Sequence, residues 1–166
     1  MPPHELNSKQ SFIMGWYADD TSFCDELIQL HDHATNKRAG GSGVFENNST
    51  VNKAVKDSVD SYHAAPILGK VKYGRVLSQC IEAYLEKYPE AYTSLGFGIK
   101  EDWNIQHYQP GGGYHAWHYE RANGTPLLTV RHLVFMTYLN DVKDGGTEFL
   151  FQDLDRKSTR LNSSHG

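Results

Sequence analysis

The sequence predicts an α+β fold in which helices near the amino terminus pack on one face of a β-sheet. Two observations lead to this prediction. Before residue 96, two segments repeat apolar residues at helical spacing, and after residue 96 apolar and polar residues alternate as they do in β-strands. The length of 166 residues favours one domain. We expect that domain to span 1–154, with helices and a long loop over 1–100 and the first strands over 101–154.

The composition indicates a folded protein and excludes several classes of partner. Hydrophobic residues make up 39% of the chain and charged residues 22%, which is sufficient to fill a core. The 16 basic and 20 acidic residues form no basic block, so we expect no nucleic-acid partner. No apolar run is long enough to span a bilayer and the first residues do not resemble a signal peptide, so we expect a cytoplasmic protein without a membrane partner. The sequence does not indicate an oligomeric state.

The first helix is predicted to begin at Asp19 and Asp20, whose carboxylates can accept hydrogen bonds from backbone N–H groups at a helix start, and to end by His33. Its apolar positions are Phe23, Leu27 and Leu30. Residues 34–66 follow and are rich in Gly, Asn, Ser, Lys and Asp, with a Gly-Gly-Ser-Gly run at 40–43. We predict a long loop here, which either covers a site or merely connects two elements.

A second helix is predicted from Tyr73 to Tyr88, and Pro89 ends it. Its apolar stripe consists of Leu77, Cys80, Ile81, Tyr84, Leu85 and Tyr88. We expect this stripe to face the core.

Strands are predicted over 103–108, 114–120, 127–139 and 147–151, because these segments alternate or are rich in β-branched and aromatic residues. Turns that contain Gly, Pro, Asn or Asp separate them. In the first strand, one face should carry Trp103, Ile105 and His107, and the other Asn104, Gln106 and Tyr108.

The pair His118 and Glu120 is the candidate metal site. On a strand, side chains two residues apart point to the same face, so this imidazole and this carboxylate could bind one ion. Together with a second imidazole they would form the facial triad of non-haem Fe(II) oxygenases, which leaves open positions on the metal. A His-x-Glu triplet is common by chance, and a solvated surface strand is the alternative explanation.

Longer motifs surround this pair. They are Asn-Ile-Gln-His-Tyr-Gln-Pro-Gly-Gly-Gly at 104–113, Trp-His-Tyr-Glu at 117–120, Arg-His-Leu-Val-Phe-Met-Thr-Tyr-Leu-Asn-Asp-Val at 131–142 and Gly-Gly-Thr-Glu-Phe at 145–149. In order and spacing they resemble the prolyl 4-hydroxylase-like Fe(II)/2-oxoglutarate dioxygenases, particularly a small set from phages and marine bacteria. Residues 51–60 also look like the amino-terminal pattern of that subgroup, so the resemblance covers about 16–152.

The resemblance implies a fold, a set of site residues and a reaction. The fold is a double-stranded β-helix, or jelly roll. His118 would be the first iron ligand, and Glu120 the carboxylate ligand at a place where much of the family has Asp. Tyr108 and Tyr138 match tyrosines that hydrogen-bond to the carboxylates of 2-oxoglutarate, although a core or interface role is the alternative for each of them.

The implied reaction hydroxylates a C–H bond while 2-oxoglutarate is decarboxylated to succinate. The expected cofactors are Fe(II) and 2-oxoglutarate, with ascorbate as a further candidate. The substrate would be a peptide, through a prolyl or other amino-acid side chain, or a small molecule; this expectation is based on family analogy.

Two features that the family shows after 145–149 have no counterpart in this sequence. They are a second histidine ligand and a basic residue that pairs with 2-oxoglutarate. Beyond 149 the only histidine is His165, and it lies in the segment 155–166, which resembles translated sequencing-adapter DNA. We therefore expect an incomplete jelly roll and a carboxy-terminally truncated enzyme. The chain as given should bind Fe(II) weakly and show no turnover.

Two other classes of protein are alternatives. A zinc hydrolase could use His118 and Glu120 but would need a third ligand and a general base, and the usual paired-histidine helix signature is missing. A non-catalytic jelly-roll module, such as a phage structural or carbohydrate-binding domain, needs no metal. Iron-dependent consumption of 2-oxoglutarate would separate the dioxygenase from both.

Overall fold

The computed structural model describes residues 1–4, 12–41, 43–45, 48–92, 96–99, 101–121, 126–142 and 145–151. This part of the chain combines helices with short antiparallel strands, which confirms the predicted mixture of the two. The largest sheet within it is open and has three strands, so the jelly roll stays a prediction. The segment 155–166, with His165, lies outside the described residues.

The helices are α1 (Ser22–Asp32), α2 (Lys72–Lys87) and the short α3 (Pro126–Thr129), and 3₁₀ turns cover Ala65–Lys70 and Pro89–Ala91. The strands are β1 (Pro3–His4), β2 (Gly15–Trp16), β3 (Arg38–Ala39), β4 (Gly43–Phe45), β5 (Asn48–Thr50), β6 (Val59–His63) and β7 (Trp103–His107). β1 pairs with β2 and β4 with β5, while β3, β6 and β7 form the three-stranded antiparallel sheet with β6 in the middle.

The chain divides into two compact units, and each combines separate stretches of sequence. Unit 1 contains Met1–Ile28, Gly69–Phe97 and Phe135–Gly166, and unit 2 contains Gln29–Leu68 and Gly98–Val134. The three-stranded sheet and the predicted metal ligands therefore belong to unit 2.

The two long helices form where the sequence predicts them. α1 begins just after Asp20, whose Oδ1 accepts a 2.8 Å hydrogen bond from the Ser22 N–H, and this hydrogen bond lowers the pKa of Asp20. Pro89 follows α2 and begins the next turn. The hydrophobic side chains that these two helices bury are Phe23, Cys24, Leu27, Leu77 and Tyr84. Burial raises the pKa of the Cys24 thiol to about 11, so this thiol is protonated at neutral pH.

Polar and aromatic contacts join the starts of α1 and α2. The backbone N–H of Lys72 donates to Glu26 Oε2 at 3.1 Å, and the Lys72 ammonium donates to the Ser22 hydroxyl at 2.9 Å. Glu26 thereby takes up one of the N–H groups that a helix start leaves unpaired. The Phe23 ring stacks on Tyr73 with 5.6 Å between centroids. None of the helices in the described ranges has the length and apolar character that a membrane span requires.

The predicted loop over 34–66 is wrong in part, because it contains β3, β4, β5 and β6. β6 is the central strand of the sheet, and its side chains reverse the usual pattern. Val59 is exposed, whereas Asp60, Ser61 and His63 are buried. Since the buried positions are polar, apolar alternation could not identify this strand.

The first predicted strand is confirmed as β7. It pairs antiparallel with β6, so that Ser61 lies opposite Ile105 and His63 opposite Trp103. Ile105 is the buried side chain of β7, and Tyr108 lies just beyond its end.

The three later strand predictions are wrong for the described residues. Within 114–120 only Tyr114 pairs, through an isolated bridge to Lys56. The segment 127–139 begins inside α3 and continues without regular structure, and the described residues of 147–151 are also irregular. A strand is stable only when a neighbouring strand takes up its backbone N–H and C=O groups. Among the described residues, β7 is an edge of the sheet, so none of the three later segments pairs with it.

A buried ion pair lies on one face of β6. Asp60 is 0% exposed and Lys56 is 4% exposed, and the Lys56 ammonium lies 2.9 Å from Asp60 Oδ2. The Ser58 hydroxyl donates to Oδ1 at 2.7 Å, and the Asn104 amide donates to Oδ2 at 3.3 Å. These donors offset the cost of removing the carboxylate from water. Gly40 lies close to the pair, because a Cβ added there would clash with the Ser58 hydroxyl oxygen.

Two buried histidines share one serine. His31 Nδ1 lies 2.8 Å from the Ser61 hydroxyl oxygen, and His63 Nε2 lies 2.9 Å from the same oxygen. Burial lowers the pKa of both histidines below the ordinary value of 6.5. Lys37 and His107 act in the same direction on the pKa of His31.

We expect Asp60→Asn to lower the free energy of unfolding by about 3–5 kcal/mol, because the Lys56 ammonium would stay buried without a counter-charge. The matched control is Asp57→Asn, which breaks the neighbouring pair with Lys53. In that pair the side chains are 49% and 75% exposed and 3.7 Å apart. The control should cost about 0–1 kcal/mol. Urea unfolding measures both variants, and equal losses would contradict a structural role for the buried pair.

The lowered pKa values of His31 and His63 predict that acid destabilises the protein. The folded state favours neutral imidazoles, whereas the unfolded chain takes up protons near pH 6.5, so stability is retained above this pH and is lost as the pH falls below it. His31→Asn and His63→Gln each keep a polar group near the bonding ring nitrogen but cannot titrate. In urea unfolding at several pH values, both variants should lose less stability on acidification than the wild type.

The control for this experiment is His33→Asn, which changes an exposed histidine at the end of α1. This variant should keep the wild-type dependence on pH. If His31→Asn and His63→Gln also kept it, the two buried imidazoles would not be the cause of the acid destabilisation.

Candidate metal centre

The segment that carries the predicted ligands is attached to the stretch before β6. The backbone N–H of Asp57 donates to the Gly113 carbonyl at 2.9 Å, and that of His115 donates to the Val55 carbonyl at 2.7 Å. Between these hydrogen bonds, Tyr114 forms its bridge with Lys56. The two backbone segments thus hold each other in position.

A tight turn leads from β7 into this segment. The Gly112 N–H donates to the Gln109 carbonyl at 2.7 Å, and Gly111 has a φ of +85°. Pro110 followed by a glycine with positive φ is typical of a type II turn. The Pro-Gly-Gly motif therefore reverses the chain just before the predicted ligands.

His118 and Glu120 lie close together, although no strand holds them. The prediction that strand geometry brings them together is wrong, because 115–120 contains no strand. His118 Nδ1 lies 3.0 Å from the Ala116 carbonyl oxygen, which can only accept, so Nδ1 carries a hydrogen. His118 Nε2 lies 3.3 Å from Glu120 Oε1. The Tyr114 ring stacks on the imidazole at 3.9 Å, with 10° between the planes.

The distance between the two side chains fits a shared cation. A neutral imidazole with its hydrogen on Nδ1 presents a lone pair at Nε2, and a lone pair facing a carboxylate oxygen is favourable only with a proton or a metal ion between them. Two donors about 2.1 Å from one ion are about 3.0 Å apart at an octahedral right angle and about 3.4 Å apart at a tetrahedral angle. The observed 3.3 Å lies between these two values and nearer the tetrahedral one. The pair can therefore supply two of the three protein ligands of a facial triad.

Arg131 links Glu120 to a second carboxylate. Its Nε and Nη2 donate to the two oxygens of Glu101 at 2.8 Å and 2.6 Å. Its Nη1 donates to Glu120 Oε2 at 2.9 Å and to the Glu120 carbonyl at 3.0 Å. The hydrogen bonds between Arg131 and Glu101 lower the pKa of Glu101 and raise the pKa of Arg131. Both groups therefore remain charged throughout the neutral pH range.

The two predicted 2-oxoglutarate tyrosines have different surroundings. Tyr108 belongs to unit 2, and its hydroxyl donates to Gln106 Oε1 at 2.7 Å. Tyr138 belongs to unit 1, where its hydroxyl is hydrogen-bonded to the Thr147 hydroxyl and burial raises its pKa. Each hydroxyl already has a protein partner, and the role of either tyrosine in binding 2-oxoglutarate stays a prediction.

A third metal donor does not join the pair in the part of the chain that the structure describes. Among those residues, no group of three or more His, Cys, Asp or Glu side chains is arranged to hold a metal ion. His107, which the sequence gives no metal role, faces His31 edge-on with 5.8 Å between ring centroids.

Sequence reasoning missed three residues of this site: Glu101, Tyr114 and Arg131. Arg131 opens one of the quoted motifs, and a cation at the start of a largely apolar segment was the available signal for a buried or paired charge. For Glu101 and Tyr114, the sequence contained no comparable signal.

Comparison with known proteins does not assign a family, since no family model matches the chain and neither does any curated protein or solved structure.

Proposed function

We propose that the parent protein is an Fe(II)- and 2-oxoglutarate-dependent dioxygenase that hydroxylates a C–H bond, and that this chain carries two of its iron ligands. The observation that carries the proposal is the 3.3 Å distance between His118 Nε2 and Glu120 Oε1. It is supported by the motif resemblance, which favours iron over zinc for this donor pair. Iron at this position would supply the oxygen chemistry that is coupled to the decarboxylation of 2-oxoglutarate.

The residues around the pair have defined tasks in this proposal. His118 binds the ion through Nε2, because the hydrogen bond from Nδ1 to Ala116 fixes the tautomer that leaves Nε2 available. The Tyr114 ring restricts rotation of the imidazole. Glu120 contributes Oε1, and Tyr108 turns its hydroxyl from Gln106 to a carboxylate of 2-oxoglutarate.

The fold and the substrate belong to the same proposal. β6 and β7 would be two strands of a jelly roll, and their continuous antiparallel register from Val59 opposite His107 to His63 opposite Trp103 is compatible with that architecture. By family analogy the substrate is an amino-acid side chain of a peptide, with proline first, or a small molecule. Ascorbate would act as a reductant for the iron.

Binding of Co²⁺ tests the metal site, because the visible absorption of this ion depends on its ligands. We expect His118→Ala and Glu120→Ala each to abolish Co²⁺ binding by this chain and, in the parent protein, to abolish the Fe(II)-dependent loss of 2-oxoglutarate. The matched controls are His33→Ala and Glu86→Ala, which remove exposed side chains elsewhere. Co²⁺ binding that survives in either ligand variant would remove that residue from the site.

Addition of 2-oxoglutarate to the Co²⁺-loaded chain tests whether the metal site accepts the cosubstrate. A 2-oxo acid offers a carboxylate and a carbonyl oxygen to the open positions of a facial-triad metal, so the absorption spectrum should change. A non-catalytic module without a metal has no reason to respond. A zinc hydrolase also keeps an open metal position, so it is separated by its inability to consume 2-oxoglutarate with Fe(II). An unchanged spectrum would reject the oxygenase proposal and leave the metal site in place.

Tyr108→Phe should weaken the binding of 2-oxoglutarate to the Co²⁺-loaded chain. The lost hydrogen bond to an ionised carboxylate is worth about ten- to hundredfold in the dissociation constant. The matched control is Tyr119→Phe, which removes a hydroxyl from a side chain that is 77% exposed. Equal affinities of wild type and Tyr108→Phe would remove the Tyr108 hydroxyl from the 2-oxoglutarate site.

A further inference from the structure

The two oxygens of the Glu120 carboxylate have different neighbours. Oε1 faces His118 Nε2 at 3.3 Å, whereas Oε2 accepts a hydrogen bond from Arg131 Nη1 at 2.9 Å. Arg131 also donates to the Glu120 backbone carbonyl at 3.0 Å, so the same nitrogen fixes both the backbone and one side-chain oxygen of this residue. The carboxylate therefore has a defined orientation before any ion binds.

Glu101 holds the guanidinium in place. Two parallel hydrogen bonds join Arg131 Nε and Nη2 to Glu101 at 2.8 Å and 2.6 Å. Such a bidentate pair fixes the plane of the guanidinium and not only its distance. The remaining nitrogen, Nη1, is thereby directed at Glu120. All three guanidinium nitrogens are used, and the side chains of Arg131 and Glu101 are 29% and 33% exposed.

We propose that Arg131 is a positioning residue which restricts Glu120 to one metal-ligating oxygen and thereby makes the site prefer transition-metal ions over Ca²⁺. The inference rests on the proposed function, because it takes His118 and Glu120 as metal ligands. Ca²⁺ takes six to eight oxygen ligands and commonly binds a carboxylate through both of its oxygens. A transition-metal ion accepts one imidazole nitrogen and one carboxylate oxygen as two of its ligands. Because the hydrogen bond from Arg131 takes one lone pair of Oε2, the binding of an ion through both oxygens is disfavoured.

The test compares two dissociation constants in one protein. Isothermal titration calorimetry of the full chain with Co²⁺ and with Ca²⁺ yields their ratio, and a uniform change in local charge cancels from it. In R131Q, Oε2 becomes available, so the preference for Co²⁺ over Ca²⁺ should fall by about tenfold or more. The control is R121Q, which removes the same charge from an arginine that donates to the Thr129 carbonyl. Its ratio should equal that of the wild type.

A second variant, R131K, keeps the test conclusive if R131Q does not fold. R131K keeps the positive charge, but a lysine ammonium cannot bind Glu101 through two parallel hydrogen bonds and also hold Glu120. The Co²⁺ preference should fall in R131K as well. An unchanged ratio in a folded R131Q or R131K overturns the role of Arg131. Co²⁺ binding that does not depend on His118 overturns it too, because the site would lie elsewhere.

The outcome is independent of the oxygenase test. If R131Q changes the metal preference while 2-oxoglutarate leaves the Co²⁺ spectrum of the wild type unchanged, the positioning role of Arg131 stands and the dioxygenase proposal fails. If 2-oxoglutarate changes the spectrum but R131Q keeps the wild-type ratio, the dioxygenase proposal stands and the positioning role of Arg131 fails.

Discussion

The ion pair between Asp60 and Lys56 is the interaction on which the arrangement of unit 2 depends. Two charges taken out of water must be met by fixed donors and acceptors, and Asn104 on the neighbouring strand is one of them. The same Lys56 pairs its backbone with Tyr114, whose ring stacks on His118. One residue thus belongs both to the polar core of the sheet and to the support of the candidate metal centre.

The sequence is informative about structure that follows from local rules, and less so about structure that depends on a partner. α1 and α2 bury their own apolar stripes, so the 3.6-residue period was sufficient to place both helices. β6 was not predicted, because its buried residues are charged or polar and so do not produce an apolar alternation. The β-branched and aromatic residues of 127–139 predicted a strand, but such residues do not supply the neighbour that the backbone of a strand needs.

The candidate site likewise combines residues that a local pattern predicts with residues that only the tertiary structure brings in. His118 and Glu120 could be proposed from a short motif, since two donors that are near in sequence need little of the fold to meet. Arg131 reaches Glu101 across 30 residues of chain, and the spacing of a motif carries no information about such a contact. Motifs can therefore identify which atoms could bind an ion, whereas the orientation of the carboxylate that binds it comes from tertiary structure.

The serine between the two buried histidines couples their protonation patterns. Ser61 has one hydroxyl hydrogen, so when both rings are neutral it can donate to only one of them. The other ring must then donate its own N–H to the serine oxygen. When the serine donates to His63 Nε2, the hydrogen must therefore be on His31 Nδ1, and when it donates to His31 Nδ1, the hydrogen must be on His63 Nε2. While the serine hydroxyl donates to one of the two rings, the tautomer of the imidazole on α1 and that of the imidazole on β6 are therefore coupled.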